Sequence, residues 1–484
     1  MNEVSSIQNY IKIRECPVPK KGNLRLASNH RPVQLNSPLS KVAEAVINNQ
    51  LKIYLENNSL IPRTQNSYRS GYSTFSALAD IDTILNEARS KGKQSMILAT
   101  DMSSAFNLVH RDILDSILEE YKIDNFSRKL IYNYMSDRRV KVKIKNQFSE
   151  WKYLNTGVGE GTIVGPLFFI IVLTPISSAI NRAISNVINE RNEMNMKVER
   201  EMFQVLSREY ADDVSGVITA DNDDILQIAG SELMKQFKLF FSAIGMSLNP
   251  SKTEILCIRS KAKTREISIE GQIESLNLKL LGLTLDSNLN YELHVSNLKN
   301  SLNYKMAGLR RLAPFMNYIN MKRITEAIVH SSISCSLPIY GHGLKNQRSL
   351  QKTVNSAARI VLGRGPRSSA TEMMHDLDWL NVRNLYILEA VCSLNRIITT
   401  RSASYAFDII YSGHRKKQNA YNTRDSSIHL DLDYKSKFTR QSFLWNATYS
   451  LNSLELGKKI VPAGAEYRKH IRSEILKKFT NENL

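Results

Sequence analysis

Apolar and polar positions along the first 290 residues fall into short strand-like and longer helix-like runs. Residues 202–206 and 214–218 are β-prone segments on either side of a turn carrying Asp212 and Asp213. Residues 95–100 form a mostly apolar strand that ends on Asp101. Helical spacing over 39–55 (Leu39, Val42, Val46, Leu51) predicts an amphipathic helix with Ser40 as its N-cap, and Ser73 or Thr74 is placed to cap another through residue 84. Further helices are expected at 111–121, 127–135, 167–176 and 225–244, the last ended by Gly245. Residues 138–146 alternate strictly, with Arg139, Lys141, Lys143 and Lys145 on one face and Val140, Val142 and Ile144 on the other. A turn at Asn249 and Pro250 leads past Lys252 into a strand at 254–258, and from His294 the chain reads as helical. The class is α+β.

Charge changes this picture in one region. The 484 residues carry a net charge of +19, and residues 301–371 hold eleven Lys and Arg against a single acid, Glu326. A basic helical segment following an acid-centred sheet suits a polyanion held close to its chemistry. Cys16, Cys257, Cys335 and Cys392 show no metal-ligand spacing and read as free thiols of a reducing compartment. Residues 1–8 lack the apolar core of a signal peptide, and the longest apolar run, 167–173, is too short to span a bilayer. The expectation is an intracellular protein of nucleus or cytoplasm, without a membrane.

Asp-Asp pairs in turns are common, and Asp223 with Asp224 reads as a solvated example. Asp212 and Asp213 differ because a third carboxylate, Asp101, ends a core strand. Three converging carboxylates repel, and a divalent cation is the usual remedy. The glycine-rich stretch 157–166, with Gly157, Gly159, Glu160 and Gly161, allows close backbone approach to a ligand before an apolar helix opens. Residues 186–200 read as an exposed helical insertion. Trp379, Trp445, Phe443 and Tyr421 read as core aromatics.

In order and spacing, Asp101 with Phe106, the stretch 157–169, and Tyr210-Ala211-Asp212-Asp213 resemble the motif series of reverse transcriptases of non-LTR (LINE-type) retrotransposons. Upstream 29–33 and 65–74, and downstream 249–254 and 280–286, continue the resemblance, which covers about residues 17–345. It implies a right-hand polymerase, with an N-terminal segment and fingers over 1–90, a palm over 91–290, a thumb over 291–345 and a basic helical region over 346–484. The implied activity is RNA-directed DNA synthesis from a primer 3′-hydroxyl with dNTPs on an RNA template, as part of a mobile element.

On this resemblance Asp101, Asp212 and Asp213 bind two Mg²⁺ ions (Mn²⁺ in their place), and Lys252 protonates the leaving pyrophosphate. Phe106, Arg31, Arg69, Gly161, Glu160 and Tyr210 surround the incoming nucleotide, with Phe106 excluding a 2′-hydroxyl. Arg139, Lys141, Lys143, Leu281, Gly282, Arg310 and Arg311 hold template and primer. Relatives have Pro-Gln where this chain has Gly159-Glu160, and often Lys and Asp at Ser104 and Asn107. The alternatives are a nucleic-acid-binding relic of such an element and an RNA-dependent RNA polymerase. Related elements begin upstream of what residues 1–40 correspond to, and a separate endonuclease is a candidate partner.

Overall fold

The computed structural model describes residues 12–20, 22–102, 105–193, 200–249, 252–260, 265–418, 441–454 and 464–479. Ser104, Pro250, Tyr421 and part of the 186–200 segment lie outside the described residues. In chain order, β1 (Lys12–Pro19) and β2 (His30–Leu35) precede α1 (Pro38–Asn57) and α2 (Thr74–Ser90). Next come β3 (Gln94–Asp101), α3 (Arg111–Glu120), α4 (Asn125–Met135), β4 (Arg138–Ile144), β5 (Gln147–Phe148) and β6 (Lys152–Leu154). Helices α5 (Gly165–Leu173) and α6 (Ile176–Glu193) lead to β7 (Phe203–Tyr210), β8 (Asp213–Ala220), α7 (Asp223–Ala243) and β9 (Glu254–Ile258). Two small strand pairs follow, β10 (Ser268–Ile269) with β11 (Gln272–Ile273) and β12 (Asn277–Leu280) with β13 (Leu283–Asp286). The longer helices beyond are α8 (Glu292–Leu312), α9 (Tyr318–Thr325), α10 (Leu344–Leu362), α11 (Val382–Thr400), α12 (Ser404–Gln418), α13 (Phe443–Ser453) and α14 (Ala465–Phe479).

Local chemistry sets several boundaries. Helix α1 is capped by Ser37, whose side chain accepts from the Ser40 N–H, with Pro38 in the first turn. The cap is thus three residues earlier than the apolar spacing suggests. That spacing also overstates burial: Leu51 and Leu55 are buried, whereas Leu39, Val42 and Val46 are exposed. Ser73 caps α2 reciprocally with Ser76, and the helix continues to Ser90. Strand β4 stops at Ile144, and Lys145 follows at φ 54°, so Lys145 leaves the face shared by Arg139, Lys141 and Lys143.

Chain contacts group Met1–Tyr68, Leu98–Gly216 and Gln227–Thr253 into one compact unit, and Arg69–Ile97, Val217–Leu226 and Glu254–Leu484 into another. The first contains a sheet of order β2-β1-β4-β5, with β6 also on β4. Its inner face presents Ile13, Gln34 and Val140, all buried. A second sheet runs β7-β8-β3-β9, and the ends of β3 and β8 that carry Asp101 and Asp213 belong to the first unit. Helix α5 is apolar all round and buried along its length, as a core helix must be. The continuous stretch Gly165–Asn189 is long and apolar enough to cross a membrane, which counting uninterrupted apolar residues does not reveal. Two-thirds of its most apolar window (67%) is buried within the protein.

In the second unit two buried aspartates of α2 cap remote helices. Asp80 Oδ1 accepts the Tyr405 and Ala406 N–H groups at the start of α12, each at 3.0 Å. Asp82 Oδ2 accepts the Phe443 N–H at the start of α13 at 2.8 Å. Of the expected core aromatics Trp379 and Phe443 are buried and Trp445 is half-buried, whereas Asp223, expected in solvent, is buried against Arg259, Nε to Oδ1 3.1 Å.

Candidate active site

The β7–β8 hairpin closes through Ala211 and Asp212, with Ala211 at φ 55°. A side chain in this left-handed region costs on the order of 1 kcal/mol, a strain typical of functional turns. The Thr100 hydroxyl donates to the Val214 carbonyl at 2.9 Å, fixing the register of β3 beside β8. Asp101 and Asp213 are the next residues along and lie at the same end of the sheet.

Electrostatics report how these acids are grouped. The Asp212 carboxyl is raised by burial and by the charge of Asp101, opposed by its own backbone N–H and by Arg31 and Lys252. Asp213 is pushed up to about 6 by desolvation, then by the charges of Asp212 and Asp101. Asp212 and Asp213 therefore resist ionisation, first because they are buried and then because other carboxylates stand beside them. The main cation beside them is Lys252, whose Nζ lies 2.6 Å from Asp101 Oδ2. The Asn249 N–H donates to the Asp101 carbonyl at 3.0 Å, which lays the segment before Lys252 along the strand end.

Among the described residues no three His, Cys, Asp or Glu side chains are gathered into a cage for an ion. The donor chemistry nevertheless fits a hard divalent cation: oxygen-only side chains, raised carboxyls at Asp212 and Asp213, and an ammonium partly balancing their charge.

The glycine-rich stretch is placed by close backbone packing. A Cβ at Gly159 would lie 1.8 Å from the Gln34 side chain, and one at Gly157 would lie 2.7 Å from the Asn107 carbonyl. Gly161, at φ 102°, packs against the Gln34 backbone. The Val158 N–H donates to the Phe106 carbonyl at 2.7 Å, and the Gln34 N–H to the Glu160 carbonyl at 2.6 Å. The Phe106 ring stacks on Phe169 of α5, centroids 4.8 Å apart at 20°. Glu160 reaches Arg31 of β2, Nε to Oε2 2.9 Å. The Glu160 carboxylate thus has a cationic partner.

Tyr210 ends β7 beside this cluster. Tyr68 joins it too, its phenol raised by burial and then by the charges of Asp212, Tyr210 and Glu160. Tyr68 falls within the 65–74 stretch of the motif series but is not among the site residues expected from sequence; what brings it here is the backbone pairing that runs 64–66 beside Glu209. Arg139 and Lys143 are exposed on β4, with Lys141 half-buried between them. Arg69, Leu281, Gly282, Arg310 and Arg311 belong to the second unit. There Arg69 lies over Tyr72, with 4.3 Å from guanidinium to ring. Leu281 and Gly282 form the β12–β13 turn at φ 47° and 87°, and Arg310 and Arg311 are exposed in the last turn of α8.

Residues 18–285 match the family model described as reverse transcriptase (RNA-dependent DNA polymerase). The chain is 23% identical over 347 residues to a probable RNA-directed DNA polymerase from transposon BS of Drosophila melanogaster, covering 69% of this chain and 36% of that protein. It is 22% identical to the RNA-directed DNA polymerase from mobile element jockey of the same species, over 66% of this chain and 34% of that protein. A third relative is the retrovirus-related Pol polyprotein from type-1 retrotransposable element R2 of Popillia japonica, at 25% identity, 50% of this chain and 31% of that protein. The chain thus spans about a third of the length of these relatives. Among solved structures, apo telomerase from Candida tropicalis aligns with a TM-score of 0.38 at 13% identity, covering 82% of this chain and 67% of that one.

Proposed function

The chain belongs to the reverse transcriptase family, and from that membership we propose that it is an RNA-directed DNA polymerase extending a primer 3′-hydroxyl with dNTPs on an RNA template. The observation that carries this reading is the meeting of Asp101 with the Asp212–Asp213 turn, with Lys252 against Asp101. Enzymes of this family use divalent metal ions. Asp101 and Asp212, with Asp213 at the edge, are the residues that would hold them, and two Mg²⁺ ions are the assignment we propose. When bound, they would lower the pKa of the attacking hydroxyl and neutralise the triphosphate.

The protein's own groups supply the rest. Arg31 offers a guanidinium to the triphosphate, with Glu160 holding it in position. Gly161 and its neighbours bring backbone close to the nucleotide, with Tyr210 and Tyr68 at its edge. Phe106, fixed by Phe169, stands where a ribose 2′-hydroxyl would be excluded. Lys252 carries a proton within reach of the acidic cluster and is placed to give it to departing pyrophosphate. In this reading Arg139, Lys141 and Lys143 bind template. The turn Leu281–Gly282 supports the primer, while Arg310 and Arg311 of the thumb contact duplex phosphates.

The test is Mg²⁺-dependent dNTP incorporation on an RNA template with a DNA primer. Asp212→Asn should lower it by about three orders of magnitude. A wild type that binds duplex but incorporates nothing would favour the relic, and preferential use of NTPs would favour the RNA polymerase.

A further inference from the structure

The outer face of the β2-β1-β4-β5 sheet is built from cations and aromatic rings. By register Arg14 stands opposite Lys141, Arg139 opposite Tyr153, and Lys143 opposite Phe148, so all six project on one side. Ile13 and Val140 point the other way and fill the core. Phe148, Trp151 and Tyr153 remain 46%, 41% and 61% exposed. Each ring is met by a cation. Lys141 Nζ lies 4.2 Å from the Phe148 centroid and 4.8 Å from that of Trp151, and the Arg139 guanidinium lies 4.9 Å from that of Tyr153. The carboxylate nearest the β2 edge, Glu160, is engaged by Arg31.

Rings serving the core would face Ile13, and four like charges on one sheet face repel unless something anionic lies across them. Cation–π contacts at exposed sites are weak. They order the rings and cations without closing them to a ligand. An alternation of open π-faces and cations matches a strand that alternates bases with phosphates. Paired bases are covered by their partners and stacked neighbours, so a duplex has little to offer such rings.

We propose that this face is a stacking platform for unpaired RNA, the single-stranded template outside the active site, with Phe148, Trp151 and Tyr153 taking bases and Arg14, Arg139, Lys141 and Lys143 taking phosphates. The assignment of the strand to template RNA rests on the polymerase reading. The platform adds to it a preference for unpaired over paired nucleic acid.

The test is fluorescence-anisotropy binding of the full chain to single-stranded oligo(rU), to oligo(dT) of equal length, and to a blunt RNA–DNA duplex. Because two bases lose their stacking partners, Trp151→Ala with Tyr153→Ala is expected to weaken oligo(rU) binding by about tenfold or more. Duplex binding should change less than about twofold, a factor under 0.5 kcal/mol. Tyr153→Phe, which keeps the ring, should bind as wild type. Lys141→Gln with Lys143→Gln should reduce the salt dependence on oligo(rU) by about 1.4 in log–log slope. Equal weakening on oligo(rU) and duplex, no weakening at all, or tighter wild-type binding of oligo(dT) than of oligo(rU) would overturn the platform. Ring-dependent oligo(rU) binding in a wild type that incorporates no dNTP would sink the polymerase reading alone. Incorporation without ring dependence would sink only the platform.

Discussion

The Lys252 ammonium stands 2.6 Å from Asp101 Oδ2 although 151 positions separate the two residues. The side chain proposed to protonate pyrophosphate therefore rests, in the free protein, on a carboxylate proposed to bind metal. Removing it is expected to have two opposed effects. Lys252→Met should lower kcat by about 10²–10⁴, the usual weight of a positioned acid. It should also shift the Mg²⁺ midpoint to lower concentration, because Asp101 loses its competing cation. Titrating Mg²⁺ in steady-state incorporation reads both effects. A variant whose kcat and Mg²⁺ midpoint both match wild type would leave the lysine as an ordinary surface ion pair.

The pairing of Arg31 with Glu160 makes a sign prediction. The Arg31 side chain is 61% exposed, so the pair is worth at most about 1 kcal/mol and opens readily to a better anion. Arg31→Ala removes a triphosphate contact and leaves Glu160 uncompensated, and KM for dNTP should rise by about tenfold or more. Adding Glu160→Gln should recover part of that loss. Steady-state KM values for the four proteins complete the cycle, and a double mutant worse than Arg31→Ala would refute the compensation.

Phe106 lies on the single helical turn Ala105–Leu108, and its ring is held by its stack on Phe169. Phe106→Ala should raise the ratio of ribonucleotide to deoxyribonucleotide incorporation by at least about tenfold, whereas Phe106→Tyr should not. Unchanged sugar selectivity in the alanine variant would remove Phe106 from the nucleotide site.

The acids of this site could be read from local pattern because a strand end and a tight hairpin announce themselves within a few residues. The contact of Lys252 with Asp101 could not, since it depends on how the chain after α7 returns to β3. Tyr68 was hidden for the same reason: its role follows from backbone pairing of 64–66 beside Glu209. Alternation assigned Lys145 to the basic face, but a left-handed residue ends the strand first, a turn that periodicity does not encode. Charge composition drew attention to residues 301–371, whereas the aromatic rings beside Arg139, Lys141 and Lys143 emerge only from cross-strand register.

Asp82 makes the stability of the second unit depend on pH. It is fully buried, and its pKa is raised from 3.8 to about 7 by that burial, against hydrogen bonds from the Phe443 N–H, the Tyr291 hydroxyl and Asn86. Tyr386, buried nearby, feels the charge of Asp82 as well. Between about pH 4 and 7 the folded protein holds a proton here that the unfolded chain has released. Stability from this group is therefore complete below pH 4, falls as pH rises through the folded pKa, and levels off above it. The total is roughly 4 kcal/mol as an upper bound, large against the net stability of most proteins. Asp82→Asn fixes the site in a neutral form and should flatten this fall. Urea unfolding of the full chain at pH 5 and pH 8 should give a smaller pH difference for Asp82→Asn than for wild type. Asp213 and the buried histidines titrate in both proteins, so the difference between the two slopes isolates Asp82. Identical slopes would mean that Asp82 is ionised in the folded state at pH 5, and that the Phe443, Tyr291 and Asn86 donors suffice to stabilise its charge.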